Sequence, residues 1–132
     1  KKEKVIFTGD TLFSLGCGKL FEGTFKEMFN TLEKIKKLPK NIKIYFGHEY
    51  TKKNLDFCLK YDEENEDLKK KARWLNKKLS KNLPTTPTTL EDELKTNIFL
   101  RCDNNKIKKD LKMSNSSDEL FFEKLRNFKD KF

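Results

Sequence analysis

Histidine is nearly absent from this chain of 132 residues, which carries only His48. A catalytic transition metal takes at least three protein ligands, so one imidazole with a neighbouring carboxylate describes half a site. Cysteine is also scarce. Cys17, Cys58 and Cys102 are odd in number, widely separated and without paired-ligand spacing. That pattern excludes a disulfide framework and a zinc finger, and it fits a reducing compartment. No apolar run approaches the roughly 20 residues of a membrane span, and no signal-peptide pattern opens the chain. The expected location is the cytoplasm, with an organelle left open because a targeting peptide would lie upstream. The start at Lys1-Lys2-Glu3, directly before a strand and without an initiator Met, leads us to expect a fragment.

Charge is what the chain has in quantity, with 30 Lys and Arg against 21 Asp and Glu and a net charge of +9. Such a balance raises nucleic acid or an acidic membrane as partners. The lysines, however, fall in pairs and triples in every segment (Lys36-Lys37, Lys69-Lys70-Lys71, Lys77-Lys78, Lys108-Lys109), mostly beside acids. That is the pattern of solvated helix faces. With no nucleic-acid-binding module present, neither nucleic acid nor membrane is expected as a partner.

Val5-Ile6-Phe7-Thr8 reads as a strand buried on both faces, because a continuous apolar run ends at Gly9. Thr24 and Glu27 form a capping box. Phe25, Met28, Phe29, Leu32 and Ile35 then recur at helical spacing until Pro39. Ile42 to Phe46 gives a second strand, so strand, helix and strand follow one another as in a layered α/β unit. From Thr51 the pattern is helical: Leu55, Cys58 and Leu59 share one face, and Leu68, Ala72, Leu75 and Leu79 another. Residues 83–89 are a connection, after which Thr88 or Thr89 caps a short helix through Glu91 or Asp92. The Ser114 to Ser117 loop leads into a last helix bearing Leu120, Phe121, Leu125 and Phe128.

Each of the two strands ends on a glycine followed by a potential metal ligand, Asp10 in Gly9-Asp10 and His48 in Gly47-His48. Taken singly, Gly-Asp is an ordinary turn and a lone histidine is more often a surface residue. Arg126 and Lys129 are three apart on a helix and share a face, where they can hold a carboxylate; in so basic a chain such a pair also arises by chance. Cys17 lacks a partner histidine to activate it, and its flanking glycines are better read as a tight turn that brings Lys19 inward.

In combination these motifs are specific. Gly9-Asp10-Thr11-Leu12-Phe13 running on to Gly16-Cys17-Gly18-Lys19, the Gly47-His48-Glu49-Tyr50-Thr51 box and the terminal Arg126-x-x-Lys129-Asp130-x-Phe132 occur in one order with compatible spacing. They resemble the C-terminal half of glyoxalase II, the hydroxyacylglutathione hydrolase of the metallo-β-lactamase superfamily. Asn97-Ile98-Phe99-Leu100-Arg101 resembles a further stretch of that family, with Ile98 in place of its proline.

The resemblance implies an α/β fold, the second half of a metallo-β-lactamase-type αββα sandwich in residues 1–60, followed by a helical glutathione-binding domain in residues 61–132. It implies hydrolysis of S-2-hydroxyacylglutathione, typically S-D-lactoylglutathione, to glutathione and D-lactate at a dinuclear metal centre. The metal is usually zinc, although iron or manganese suits mixed histidine and carboxylate donors. By the same resemblance Asp10 is the bridging, catalytic ligand and His48 a ligand of one metal. Lys19, Tyr50, Arg126 and Lys129 contact glutathione, and Phe21 stands where the family commonly has a tyrosine. The intact family member is implied to be a monomer acting on a small glutathione thioester. Most of its metal ligands lie in its N-terminal half, so the chain alone is expected to be inactive and to bind metal weakly or not at all. Two alternatives stay open: a superfamily persulfide dioxygenase with a single iron, against which the helical tail and Arg-x-x-Lys speak, and a non-enzymatic basic binding module.

Overall fold

The structure is a computed structural model and describes residues 4–18 and 24–132. Their elements run β1 (Val5–Gly9), β2 (Leu12–Phe13), β3 (Gly16–Cys17), α1 (Phe25–Lys36), β4 (Lys43–Phe46), α2 (Thr51–Tyr61), α3 (Glu66–Ser80), β5 (Thr88–Thr89), α4 (Leu90–Thr96), a 3-10 turn (Ile98–Leu100), α5 (Asn105–Asp110) and α6 (Asp118–Asp130). The architecture is mixed α/β, with a helical second half.

The first half forms as its pattern dictates. The Thr24 side chain accepts from the Glu27 amide at 3.1 Å and starts α1, which buries Leu32 and Ile35 and stops ahead of Pro39. A helical crossover returns the chain parallel to its first strand, and β1 pairs with β4 in parallel from Val5↔Lys43 to Gly9↔Phe46. The pairing slips once between Phe7 and Gly9. Gly9 absorbs the slip at φ +52, in the left-handed region that costs glycine least. On the other side of β4 lies β5, antiparallel, a two-residue strand that sequence pattern left inside a connection.

The reading of β1 as a strand covered on both faces needs correction. Ile6 and Thr8 point inward, whereas Val5 is 40% and Phe7 76% exposed. Within the described residues the sheet buries one face, so the strand follows period 2 rather than the continuous burial of a central parallel strand.

The remaining elements wrap an aromatic column that uses many of the chain's phenylalanines. Phe29 of α1 meets Phe122 of α6 at 5.7 Å, Phe122 meets Phe99 at 6.0 Å edge-on, and Phe99 stacks on Phe57 of α2 at 5.7 Å. Offset and edge-to-face pairs of this kind add about 0.5–1.5 kcal/mol each beyond the area they bury. The core is continuous from Leu12 to Leu125. Phe122 belongs to it, whereas Leu120, one of the apolar residues read on the last helix, is half exposed.

Polar groups inside this core are organised around one carboxylate. Glu93 is fully buried and accepts from Ser14 Oγ (3.1 Å), the Leu15 amide (2.7 Å), Thr88 Oγ1 (2.8 Å) and Asn97 Nδ2 (3.1 Å), and it pairs with the Lys71 ammonium. Asn97 Nδ2 also donates to the carbonyls of Phe13 (3.2 Å) and Gly16 (3.0 Å). Together they hold the β2–β3 hairpin, whose tight turn puts Leu15 at φ 62. Lys71 and Lys108, counted above among solvated lysines, are both buried. Lys71 continues the Leu68 and Leu75 stripe of α3, and Lys108 pairs with Asp118 at 2.6 Å. Among the described residues no helix is long and apolar enough to cross a membrane.

Removing one member of a buried ion pair leaves the other uncompensated. Glu93→Ala is therefore expected to cost about 3 kcal/mol or more, read as a fall in the urea midpoint; a cost below about 1 kcal/mol would contradict the network's role. Burial opposes charge on Lys71, but the Glu93 and Asp92 carboxylates outweigh it and raise its pKa above the ordinary 10.5. The stability it contributes is thus fully present below the usual lysine range and is lost as pH rises through the raised value. A Lys71→Met variant is expected to lose that alkaline component of the unfolding curve.

Candidate functional site

β1 and β4 end side by side, and each delivers one donor. The pairing extends past the strands through the Gly47 amide, which donates to the Gly9 carbonyl at 2.9 Å. Asp10 Oδ1 and His48 Nε2 then stand 3.2 Å apart, with side chains 78% and 53% exposed. This is the crevice at the carboxyl ends of parallel strands where α/β sheets place their ligands. Two donors on one tetrahedral zinc, each at about 2.1 Å, lie about 3.4 Å from one another, so the observed separation suits a shared cation. The donors are one carboxylate and one imidazole, and among the described residues no group of three or more His, Cys, Asp or Glu side chains could hold a metal ion. The described residues thus fit a metal centre as contributors to it and do not complete one.

The His48 ring is positioned by stacking. It lies on Tyr50 at 5.2 Å and 15°, and Phe13 meets Tyr50 edge-on at 5.2 Å. Among the described residues no hydrogen bond fixes its second ring nitrogen. The other two members of the box have structural partners. Glu49 accepts from the amides of Thr85 (2.8 Å) and Thr86 (3.3 Å), and Thr51 meets the Thr85 hydroxyl at 2.6 Å. Glu49 and Thr51 therefore tie the start of α2 to the loop before β5, and His48 and Tyr50 are left facing the sheet edge.

Behind Tyr50 opens a cavity of about 250 Å³ lined by Phe13, Cys17, Lys53, Asn54, Arg126, Lys129 and Asp130 as well. Tyr50 and Phe13 form its wall toward His48. Three residues expected to grip substrate, Tyr50, Arg126 and Lys129, are thus brought together from the N-cap of α2 and from α6. Lys53 and Asn54 were not anticipated. Lys53 lay hidden in an ordinary lysine pair, and its only signal is that it falls one helical turn after Tyr50. Asn54 is buried, and its Nδ2 donates to the Ser14 carbonyl at 3.1 Å.

Arg126 and Lys129 share a face but differ in engagement. Arg126 is buried; its guanidinium donates to the carbonyls of Cys17 (2.8 Å) and Gly18 (3.4 Å) and to Asp130 Oδ1 through both Nε (3.1 Å) and a terminal nitrogen (2.9 Å). Its carbonyl contacts hold the end of β3 and the loop that follows, and Asp130 matches its charge. Lys129 has its pKa lowered, first by burial and then by the charges of Arg126 and Lys53. Lys19 and Phe21 lie outside the described residues.

Over 130 residues the chain is 53% identical to the hydroxyacylglutathione hydrolase of Pelagibacter ubique, covering 98% of this chain and 48% of that protein. The Bartonella tribocorum enzyme is 47% identical over 99% of this chain and 52% of its own length. That of Prochlorococcus marinus is 52% identical over 76% of this chain and 41% of its own. Residues 49–132 match the family described as hydroxyacylglutathione hydrolase C-terminus. The chain belongs to that family. It spans about half the length of the curated relatives it matches. The family match includes Tyr50, Arg126 and Lys129, and the similarity to the Pelagibacter ubique enzyme extends over nearly all of the chain.

The turn expected of the glycines around Cys17, bringing Lys19 inward, leads out of the described residues, and Gly18 has a role of its own within them. The left-handed residue is Leu15, whereas a Cβ on Gly18 would sit 1.8 Å from the Asp10 carbonyl oxygen. Gly18 is required so that the strand leaving the hairpin can lie against the donor-bearing loop. The Cys17 thiol is pushed up to about 11 by burial, only partly offset by Arg126, which makes it a poor nucleophile. We expect Gly18→Ala to lower stability by about 2 kcal/mol, measured by urea unfolding; an unchanged midpoint would show that the two loops do not touch.

Proposed function

We propose that this chain supplies one carboxylate and one imidazole, together with the thiol-peptide pocket, to a hydroxyacylglutathione thioester hydrolase. The observation that carries the reading is the double contact of Tyr50, which stacks on His48 on one side and lines the cationic cavity on the other. A glutathione moiety seated in that cavity would place its acylated sulfur toward Asp10 and His48, so that binding energy is used to position the reacting carbonyl.

In this reading the three-stranded sheet is part of an αββα sandwich. The exposed face bearing Val5 and Phe7 supports it, since an apolar sheet face needs a second layer. Asp10 and His48 are donors to a centre of two divalent cations completed by other residues, zinc being the metal best suited to them. Such a centre, when loaded, supplies Lewis-acid polarisation of the carbonyl and an activated water. What the chain's own residues do is hold the donors 3.2 Å apart, wall the carbonyl site with Phe13 and Tyr50, and attract the negatively charged peptide. The substrate class is S-2-hydroxyacylglutathione, handled by a monomer in the cytoplasm. The lining of the cavity by Tyr50, Arg126 and Lys129 favours this reading over a general basic binding module.

The test joins the N-terminal half of the Pelagibacter ubique relative to this chain and follows S-D-lactoylglutathione hydrolysis with added zinc. The joined protein is expected to turn over, Asp10→Ala and His48→Ala each to lower kcat/KM at least about 100-fold, and the 132-residue chain alone to show no turnover. Activity of the isolated chain comparable to that of the joined protein would overturn the proposal.

A further inference from the structure

The cavity behind Tyr50 holds more positive charge than its own walls neutralise. Arg126 is committed: Asp130 faces it through two contacts at 2.9 and 3.1 Å, and its remaining donor strength goes to the Cys17 and Gly18 carbonyls. Lys129 of α6 and Lys53 of α2 line the same cavity, and among the described residues neither ammonium has a hydrogen-bond or ion-pair partner. Sequence motifs direct attention to Arg126 and Lys129, yet among the described residues of the cavity the two unengaged cations are Lys53 and Lys129. An exposed lysine beside a cavity is ordinarily solvated and contributes little. This one differs in having a second unpaired cation near it, an arrangement that repels itself until an anion lies between.

We propose that Lys53 is a further binding residue for the glutathione moiety: Lys53 and Lys129, from α2 and α6, clasp one carboxylate of the peptide. The inference rests on the reading that the cavity takes a glutathione moiety. The charge environment agrees. The groups acting on Lys129 are Arg126 and Asp130 on its own helix, Lys53 on α2 and Cys17 on β3; after burial, Arg126 and Lys53 are what lower its pKa. A bound carboxylate relieves that repulsion, so its affinity is highest where Lys129 is charged and falls as pH rises through a value below the ordinary 10.5.

The test is calorimetric titration of the 132-residue chain with S-methylglutathione at neutral pH and low salt, where exposed charges are least screened. Lys53→Met is expected to weaken binding about tenfold, Lys53→Arg to restore it to within about twofold, and Lys52→Met, on the neighbouring solvent-facing position paired with Asp56, to leave it unchanged. Because Lys53 is exposed and makes no hydrogen bond or ion pair among the described residues, the thermal midpoint of Lys53→Met should match that of the parent chain. Equal affinity of the parent chain and Lys53→Met would overturn this inference and leave the glutathione reading standing. An affinity loss matched by a lower thermal midpoint would overturn the direct contact. No binding by the parent chain at millimolar ligand would overturn both.

Discussion

The β2–β3 hairpin is the part on which both halves of the site depend, and it is held by a carboxylate that water does not reach. Glu93 takes hydrogen bonds from Ser14 and the Leu15 amide at the turn, and its charge is matched by Lys71. One end of the hairpin continues from Asp10; the other runs into Cys17 and Gly18, whose carbonyls receive Arg126. Phe13, midway, packs on Tyr50 and so on the stack that positions His48. A buried pair of this kind is weak evidence for stability and better evidence for specificity of arrangement. Here it fixes one register of a six-residue hairpin, Leu12 to Cys17, that has only two paired positions of its own.

From that anchor the two chemistries are set side by side. The parallel pairing of β1 and β4 brings a carboxylate and an imidazole to one sheet edge, and the contact of α6 with the hairpin brings cations to the same place from more than a hundred residues away. Helices and strands carry the described residues of the cavity except Tyr50, which stands at the N-terminus of α2. That is the condition for preorganised binding.

Much of this was legible in the sequence, for reasons that are local. The Thr24 cap, the α1 stripe, the Ser117 loop and the glycine-ended strands are short-range patterns, and the motif order carries the family. What was not legible depends on partners distant along the chain. Nothing near Lys71 announces Glu93 except its place on an apolar stripe. Gly18 looks like a turn residue until Asp10 is seen against it. The exposed face of β1 was misjudged because an apolar run does not say how much of a second layer the same polypeptide provides. Lys53 escaped notice because its place in the cavity wall beside Lys129 depends on how α2 and α6 come together.

The central claim is that the donor pair and the cationic cavity form one site joined through Tyr50. Intermolecular nuclear Overhauser effects from the S-methyl group of bound S-methylglutathione test it most directly. The account predicts contacts from that methyl to the rings of Phe13, Tyr50 and His48. Contacts instead to Trp74, which lines the separate cavity beside α3, with none to those three rings, would contradict it.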